Sequence, residues 1–216
     1  MTITVFLADD HTIVRDGLRL LLNSQPDIEV VGDAADGREA VRQVRELKPN
    51  IVILDIAMPE LNGIEAAAQI RSECPATDVI ILSMYATTEH IFQALNAGAR
   101  GYLLKESAGI EVVNAARTVH DGGRYLSQKI SDKVIQDYLQ QRTGQDHSPL
   151  SRLSHREREI LQLVVEGKSS AEIADILFLS PKTIETYRSR LMQKLNITDI
   201  PTLVKFAIQH GLTPLE

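Results

Sequence analysis

Five polar residues each follow an apolar run, and together they could handle a phosphoryl group. Asp9 and Asp10 follow Ile3–Ala8, Asp55 follows Ile51–Leu54, Ser83 follows Val79–Leu82, and Lys105 follows Tyr102–Leu104. One aspartate after a strand is usually a helix cap or a solvated loop acid. Several such residues at matching strand ends ask for another reading. Clustered carboxylates repel one another and need a cation, and an all-oxygen set suits Mg²⁺, which keeps several waters and bridges to phosphate. Lysine supplies a point charge and serine a hydrogen bond for phosphoryl oxygens. An aspartate can act as nucleophile and carry an acyl phosphate.

These residues must be brought together by a sheet. Apolar runs at Ile3–Ala8, Ile28–Val31, Ile51–Leu54, Val79–Leu82 and Tyr102–Leu104 alternate with helical spacings, such as Ile13, Val14, Leu18, Leu21 and Leu22. Five strands alternating with five helices predict an α/β fold, a doubly wound parallel sheet covered on both faces. Ile28–Val31 carries a charge and precedes Gly32-Asp33, which places it at a sheet edge. In strand order 2-1-3-4-5 the first and third strands are neighbours, and ligands sit beyond their carboxyl ends. The carboxylates of Asp9, Asp10 and Asp55 would converge there, with Ser83 and Lys105 on the rim.

From Leu126 no strand pattern is visible. Ile130, Val134, Ile135, Tyr138 and Leu139 suggest one more helix, and Thr143–Pro149 is a polar, breaker-containing linker. Four helical segments follow. Ser154 with Glu157, and Ser169 with Glu172, have capping-box spacing, and Ser180-Pro181 is an N-cap followed by proline at N1. The last helix should run from about Asp199 to Gln209 and stop before Gly211. The expected division is 1–121, a linker with a helix over 122–152, and a small all-α four-helix unit over 153–216.

The net charge of −6 is unevenly spread. Residues 1–125 hold 11 Lys and Arg against 18 Asp and Glu, whereas residues 181–195 hold 4 against 1. In that helix Ile184, Leu191 and Leu195 form a core stripe. Lys182, Glu185, Thr186, Ser189 and Gln193 share another face, flanked by Arg188, Arg190 and Lys194. Short polar groups can read base edges while basic neighbours hold phosphates. A single cysteine, Cys74, fits a reducing cytoplasm. No window is apolar enough for a membrane span, and Met1–Asp10 lacks the pattern of a signal peptide.

The motifs Ala8-Asp9-Asp10-His11, Leu54-Asp55-Ile56-Ala57-Met58-Pro59, Asn62-Gly63, Ser83 and Gly98-Ala99-Arg100-Gly101-Tyr102-Leu103-Leu104-Lys105 resemble those of a receiver domain. Leu153–Leu161, Gly167, Glu172-Ile173-Ala174, Ser180–Ile184 and Lys194-Leu195 resemble the LuxR-type helix-turn-helix. Together they resemble a response regulator of the NarL/FixJ type, a cytoplasmic regulator and not an enzyme. That resemblance implies Asp55 as phosphoacceptor. It makes Asp10, Asp55 and the Ala57 carbonyl direct Mg²⁺ ligands, with Asp9 acting partly through water. It makes Ser83 and Tyr102 the switch pair and has Lys105 contact the phosphoryl group. It implies a sensor histidine kinase, promoter DNA and a phosphorylation-promoted homodimer as partners, with RNA polymerase as a further one. The base-facing positions fall on Glu185, Thr186 and Ser189, of which Glu185 would repel phosphate. Glu106 after Lys105 departs from the proline of many receivers. Two other classes stay open here. An aspartate-nucleophile phosphatase of the haloacid dehalogenase class would want a second Asp where Ala57 stands, and an atypical receiver would work without phosphate.

Overall fold

In the computed structural model, residues 2–141, 149–210 and 212 are described. The chain runs β1 (Ile3–Ala8), α1 (Thr12–Asn23), β2 (Ile28–Ala34), α2 (Gly37–Leu47), β3 (Ile51–Asp55), α3 (Gly63–Glu73), β4 (Asp78–Ser83), α4 (Thr88–Asn96), β5 (Gly101–Leu104), α5 (Ala108–His120), β6 (Tyr125–Leu126) and α6 (Gln128–Gln141). A 3₁₀ turn over Pro149–Arg152 then leads to α7 (His155–Val165), α8 (Ser170–Leu177), α9 (Pro181–Leu195) and α10 (Ile200–Gln209).

The sheet is parallel in the order β2-β1-β3-β4-β5-β6. The charged β2 lies at an edge, and the central strands are apolar along most of their length because helices cover both faces. Alternation decides which side chain meets which helices. Phe6, Val52, Leu54, Val79, Ile81 and Tyr102 pack with α2, α3 and α4. Val5, Leu7, Ile51, Ile53, Ile80 and Leu82 pack with α1 and α5.

A sixth strand corrects the expected five. β6 has two residues, paired to β5 as Gly101 with Tyr125 and Tyr102 with Leu126. Two residues are too few to display a period of two, so the apolar pattern gave no sign of it. α6 follows at once and buries Ile130 completely in the same core as Tyr102. The opening part of the segment read as a linker therefore packs against the sheet. Its later part, 142–148, lies outside the described residues, as does Gly211.

The four C-terminal helices close on their own core, which includes Leu153, Ile160, Leu163, Ile173, Ile184, Leu191 and Leu203. Their starts follow from sequence. Ser154 with Glu157 and Ser169 with Glu172 form reciprocal capping boxes. Ser180 Oγ accepts the Thr183 amide ahead of Pro181, and Asp199 caps α10 through the Thr202 amide. Among the described residues no helix is long and apolar enough to cross a membrane.

Candidate functional site

Register brings the strand ends level. Ala8 pairs with Leu54, Asp55 with Leu82, and Ser83 with Leu104. Asp9 and Asp10 thus emerge beside Asp55, with Ser83 and Lys105 on the far side. Ligand atoms from Asp9, Asp10, His11 and Asp55 lie within 4.8 Å of one another. Asp9 and Asp55 are 2% and 3% exposed, so their charges have little water to stabilise them. Lys105 Nζ sits 2.8 Å from Asp55 Oδ2 and 2.8 Å from Asp9 Oδ2.

Burial, with the charges of Asp9 and Asp10 behind it, pushes the Asp55 carboxyl up to about 6, against the pull of Lys105. Burial works to lower the Lys105 ammonium, but the adjoining Asp55 and Asp9 carboxylates outweigh it and hold the ammonium above its ordinary range. Asp9 Oδ2 and Asp10 Oδ1 are buried and accept no hydrogen bond, although Lys105 Nζ and His11 Nδ1 stand 2.8 and 2.6 Å away. Clustered carboxylate oxygens of this kind, from Asp9, Asp10 and Asp55, are a donor set that fits a hard divalent cation. His11 Nδ1 also reaches the cluster, 2.6 Å from Asp10 Oδ1, but its side chain is 63% exposed.

Backbone packing fixes Asp55. Gly63 opens α3 so close to it that an added Cβ would lie 1.9 Å from the Asp55 carbonyl oxygen. Asn62 caps that helix through the Ile64 and Glu65 amides. Gly98, at φ +95°, ends α4 so that β5 can begin at Gly101. Ser83 and Tyr102, both fully buried, meet at one residue. Ser83 Oγ accepts the Tyr85 amide at 2.9 Å, and the Tyr102 hydroxyl donates to the Tyr85 carbonyl at 2.8 Å. Burial raises the Tyr102 hydroxyl far above the phenol range, so it stays a donor.

A second assembly lies on α9. Ile184 and Leu191 are buried against α7 and α8, while Lys182, Glu185, Thr186, Ser189, Arg190 and Gln193 are exposed along one side. The remaining two cations also hold partners within the four-helix unit, although Lys194 stays exposed. Arg188 Nη1 donates to Ser170 Oγ at 3.0 Å, and Lys194 Nζ lies 2.7 Å from Glu157 Oε2. Arg188 and Lys194, expected with Arg190 as the flank of the polar face, thus also make contacts inside the unit, whereas Arg190 is exposed.

The third assembly was not anticipated. α7 is buried on every side because it packs its own core with one face and the sheet-bearing unit with the other. Arg158 Nε donates to Glu65 Oε1 at 2.7 Å and His155 Nδ1 lies 2.7 Å from Glu65 Oε2. Arg38 Nη2 reaches Glu159 at 3.0 Å. Gln162, fully buried, accepts from Asn62 N at 2.8 Å and donates to the Met58 carbonyl at 2.9 Å. At the other end His90 Nε2 is 2.6 Å from the His210 carbonyl oxygen. The available signal was Gln162 itself, a polar residue inside the apolar run Ile160–Val165. The receiver does not cover the exposed side of α9.

Comparison with known proteins follows the same division. The response regulator receiver domain matches residues 5–117, and the LuxR family of bacterial regulatory proteins matches residues 151–207. The oxygen regulatory protein NreC of Staphylococcus carnosus is 39% identical over 213 residues, 96% of this chain and 98% of that protein. A LuxR-family two-component response regulator from Aurantimonas superposes with a TM-score of 0.62 at 37% identity, over 64% of this chain and 99% of that one. RcsB bound to DNA, including an assembly of two RcsB dimers on two parallel DNAs, superposes at 0.59 with 26% identity, over 95% of this chain and 98% of theirs. These relatives are regulators, which sets the phosphatase reading aside. The chain belongs to the response regulators of the NarL/FixJ type, DNA-binding transcription regulators of two-component systems in which a receiver domain precedes a LuxR-type helix-turn-helix.

Proposed function

We propose that Asp55 accepts a phosphoryl group from the phosphohistidine of a sensor kinase and that the acyl phosphate controls dimerisation and promoter binding. The observation that carries this is the surrounding of Asp55: a nearly buried carboxylate with Lys105 Nζ at 2.8 Å and Asp9 and Asp10 beside it. An Asp55 carboxylate oxygen attacks phosphorus as the phosphorus–nitrogen bond breaks. The electron pair leaves with the imidazole, which takes up a proton, and nothing is oxidised or reduced. Although raised to about 6, the carboxyl is mostly ionised at neutral pH and available as nucleophile. Lys105 is placed to hold a phosphoryl oxygen. Asp10, Asp55 and the Ala57 carbonyl would hold Mg²⁺, with Asp9 acting partly through water. The ion would neutralise charge on the transferring group. Ser83 would turn to the phosphoryl group and release Tyr85, changing the surface that Tyr102 supports.

On DNA, Lys182, Glu185, Thr186 and Ser189 would face base edges while Arg188, Arg190 and Lys194 hold phosphates. A cluster of four cations supports weak binding by one copy, so the operator calls for a dimer, as in the solved RcsB dimers on DNA. The site of action is the cytoplasm, with RNA polymerase as downstream partner.

The test is operator affinity of the full chain before and after phosphorylation, beside Asp55→Asn. Phosphate should tighten binding and favour the dimer, and Asp55→Asn should take no label. Stoichiometric labelling of Asp55→Asn would overturn the assignment of the acceptor. Affinity and dimerisation unchanged by phosphate would overturn the switch.

A further inference from the structure

The loop between β3 and α3, residues 56–62, starts beside Asp55 and carries Ala57. Its own hydrogen bonds pin the two ends together, with Gly63 N donating to the Ile56 carbonyl at 2.9 Å. The outer side is held by the other domain. The Gln162 side-chain oxygen takes Asn62 N at 2.8 Å and Asn62 Nδ2 at 3.0 Å, while its nitrogen donates to the Met58 carbonyl at 2.9 Å. The same nitrogen reaches Glu166 Oε1 at 2.8 Å, and the Glu166 carboxylate faces the Glu60 amide. Arg38 and Lys168 flank Glu60 at 3.6 and 3.7 Å. Met58 and Leu61 are fully buried in this arrangement. One amide side chain from α7 thus joins both halves of the loop.

Docking does not act by masking the reading helix, because Lys182, Glu185, Thr186, Ser189 and Arg190 remain exposed. What it does engage is the segment next to the phosphoacceptor. Placing a dianionic phosphoryl group on a side chain 3% exposed needs displacement of neighbouring chain. A loop with its backbone groups already paired across the interface resists that displacement.

We infer that Gln162 of α7 is a clamp on the 56–62 loop, through which the DNA-binding domain slows phosphorylation of Asp55. The coupling is reciprocal: a phosphoryl group on Asp55 shifts the loop, removes the partners of Gln162 and loosens docking. Gln162 touches no reacting atom and acts as a positioning residue. This inference rests on the reading of Asp55 as phosphoacceptor.

The experiment compares full-length wild type with Gln162→Ala and Gln162→Glu. Alanine suits a helix interior, so Gln162→Ala should fold, while glutamate keeps an acceptor for Asn62 N, loses the donor to Met58 and sets a carboxylate beside Glu166, so a thermal melt accompanies both variants. Hydrogen exchange at the amides of Met58, Glu60, Leu61 and Asn62 is read first, without phosphodonor or metal. The rate of labelling by acetyl phosphate with Mg²⁺ is read second. Exchange of these amides should quicken in both variants, and labelling should quicken about fivefold in Gln162→Ala, the size of effect that loss of a buried hydrogen-bond set gives. A control at exposed Lys205→Ala should leave both readings at the wild-type value. Unchanged loop exchange rejects the clamp. Faster exchange with labelling equal to or slower than wild type rejects the control of phosphorylation. Failure of the wild type to take label at Asp55 rejects the phosphoacceptor reading and the control built on it, while loop exchange still decides the clamp.

Discussion

Lys105 Nζ lies 2.8 Å from Asp55 Oδ2, tying the end of β5 to the end of β3. The same ammonium is 2.8 Å from Asp9 Oδ2, so one cation serves two nearly buried carboxylates while Asp10 is left to His11. This distribution ranks the acidic residues for metal binding. Asp9 already spends Oδ1 on the His11 amide at 2.9 Å and Oδ2 on Lys105. Asp10 is less buried, with a side chain 24% exposed, and has only the exposed His11 beside its Oδ1, which makes it the better placed donor. Asp10→Ala should therefore weaken Mg²⁺ binding more than Asp9→Ala, by about tenfold or more against wild type if one direct ligand is lost. Titration of Mg²⁺ by calorimetry checks the order, and equal affinities in the three proteins would reject the pocket.

Burial of Asp55 makes a stability prediction with a definite sign. A carboxyl raised from 3.8 to about 6 binds its proton more tightly in the folded chain. Its stabilising contribution is complete below the unfolded value and is lost as pH rises through about 6. At pH 7.5 without divalent cations, the ionised group costs the fold about 2–3 kcal/mol. Asp55→Asn removes that cost, so the variant should melt above wild type at pH 7.5 in chelator and approach it near pH 4. Thermal melts across this range check it. A variant less stable than wild type at pH 7.5 would show that the Lys105 ion pair outweighs burial.

The sheet order, the edge position of β2 and the carboxylate cluster were legible because each depends on local information. Strand runs such as Ile51–Leu54 advertise burial on both faces, and topology then leaves few places for Asp9, Asp10 and Asp55. The helix starts at Ser154, Ser169, Ser180 and Asp199 were legible because capping is a short-range pattern. β6 was hidden by its length. The interface of α7 was hidden for a different reason. Arg158 and Glu65, or Gln162 and Asn62, are partners 93 and 100 residues apart, and apart from Gln162 inside its apolar run each reads alone as an ordinary helix residue or a cap. The ion pair of Lys194 with Glu157 was hidden in the same way, since nothing local announces it.

The Arg158–Glu65 pair joins two units with separate cores, and that shapes what its loss will do. Arg158→Met leaves the Glu65 carboxylate, 3% exposed, with His155 as its remaining basic partner. A buried carboxylate short of its cation costs several kcal/mol, but here the domains can part and hydrate it. The expected result is opening: a larger radius of gyration by small-angle scattering, with the melting of each core close to wild type. An unchanged scattering profile with a large loss of melting temperature would mean that the two units do not separate.

The division of cations on α9 yields the last prediction. Arg190 is exposed on the reading side, so Arg190→Ala should lower the salt dependence of operator binding by about one counterion and leave folding intact. Lys194 is different, because its ammonium neutralises Glu157 at 2.7 Å, and that carboxylate also closes the capping box of α7. Burial works to raise the Glu157 carboxyl, but Lys194 and Ser154 together outweigh it and hold the group below its ordinary range. Lys194→Ala should then destabilise the helix-turn-helix by about 1 kcal/mol, with a smaller change in salt slope than Arg190→Ala. Thr186→Ala and Ser189→Ala should change base preference instead, by about 1–3 kcal/mol where the contact is good. Binding measured at several salt concentrations, beside thermal melts of the same variants, separates these effects. If Lys194→Ala lowers the salt slope as much as Arg190→Ala without any change in melting, its bond to Glu157 carries no structural weight and phosphate contact is its sole role.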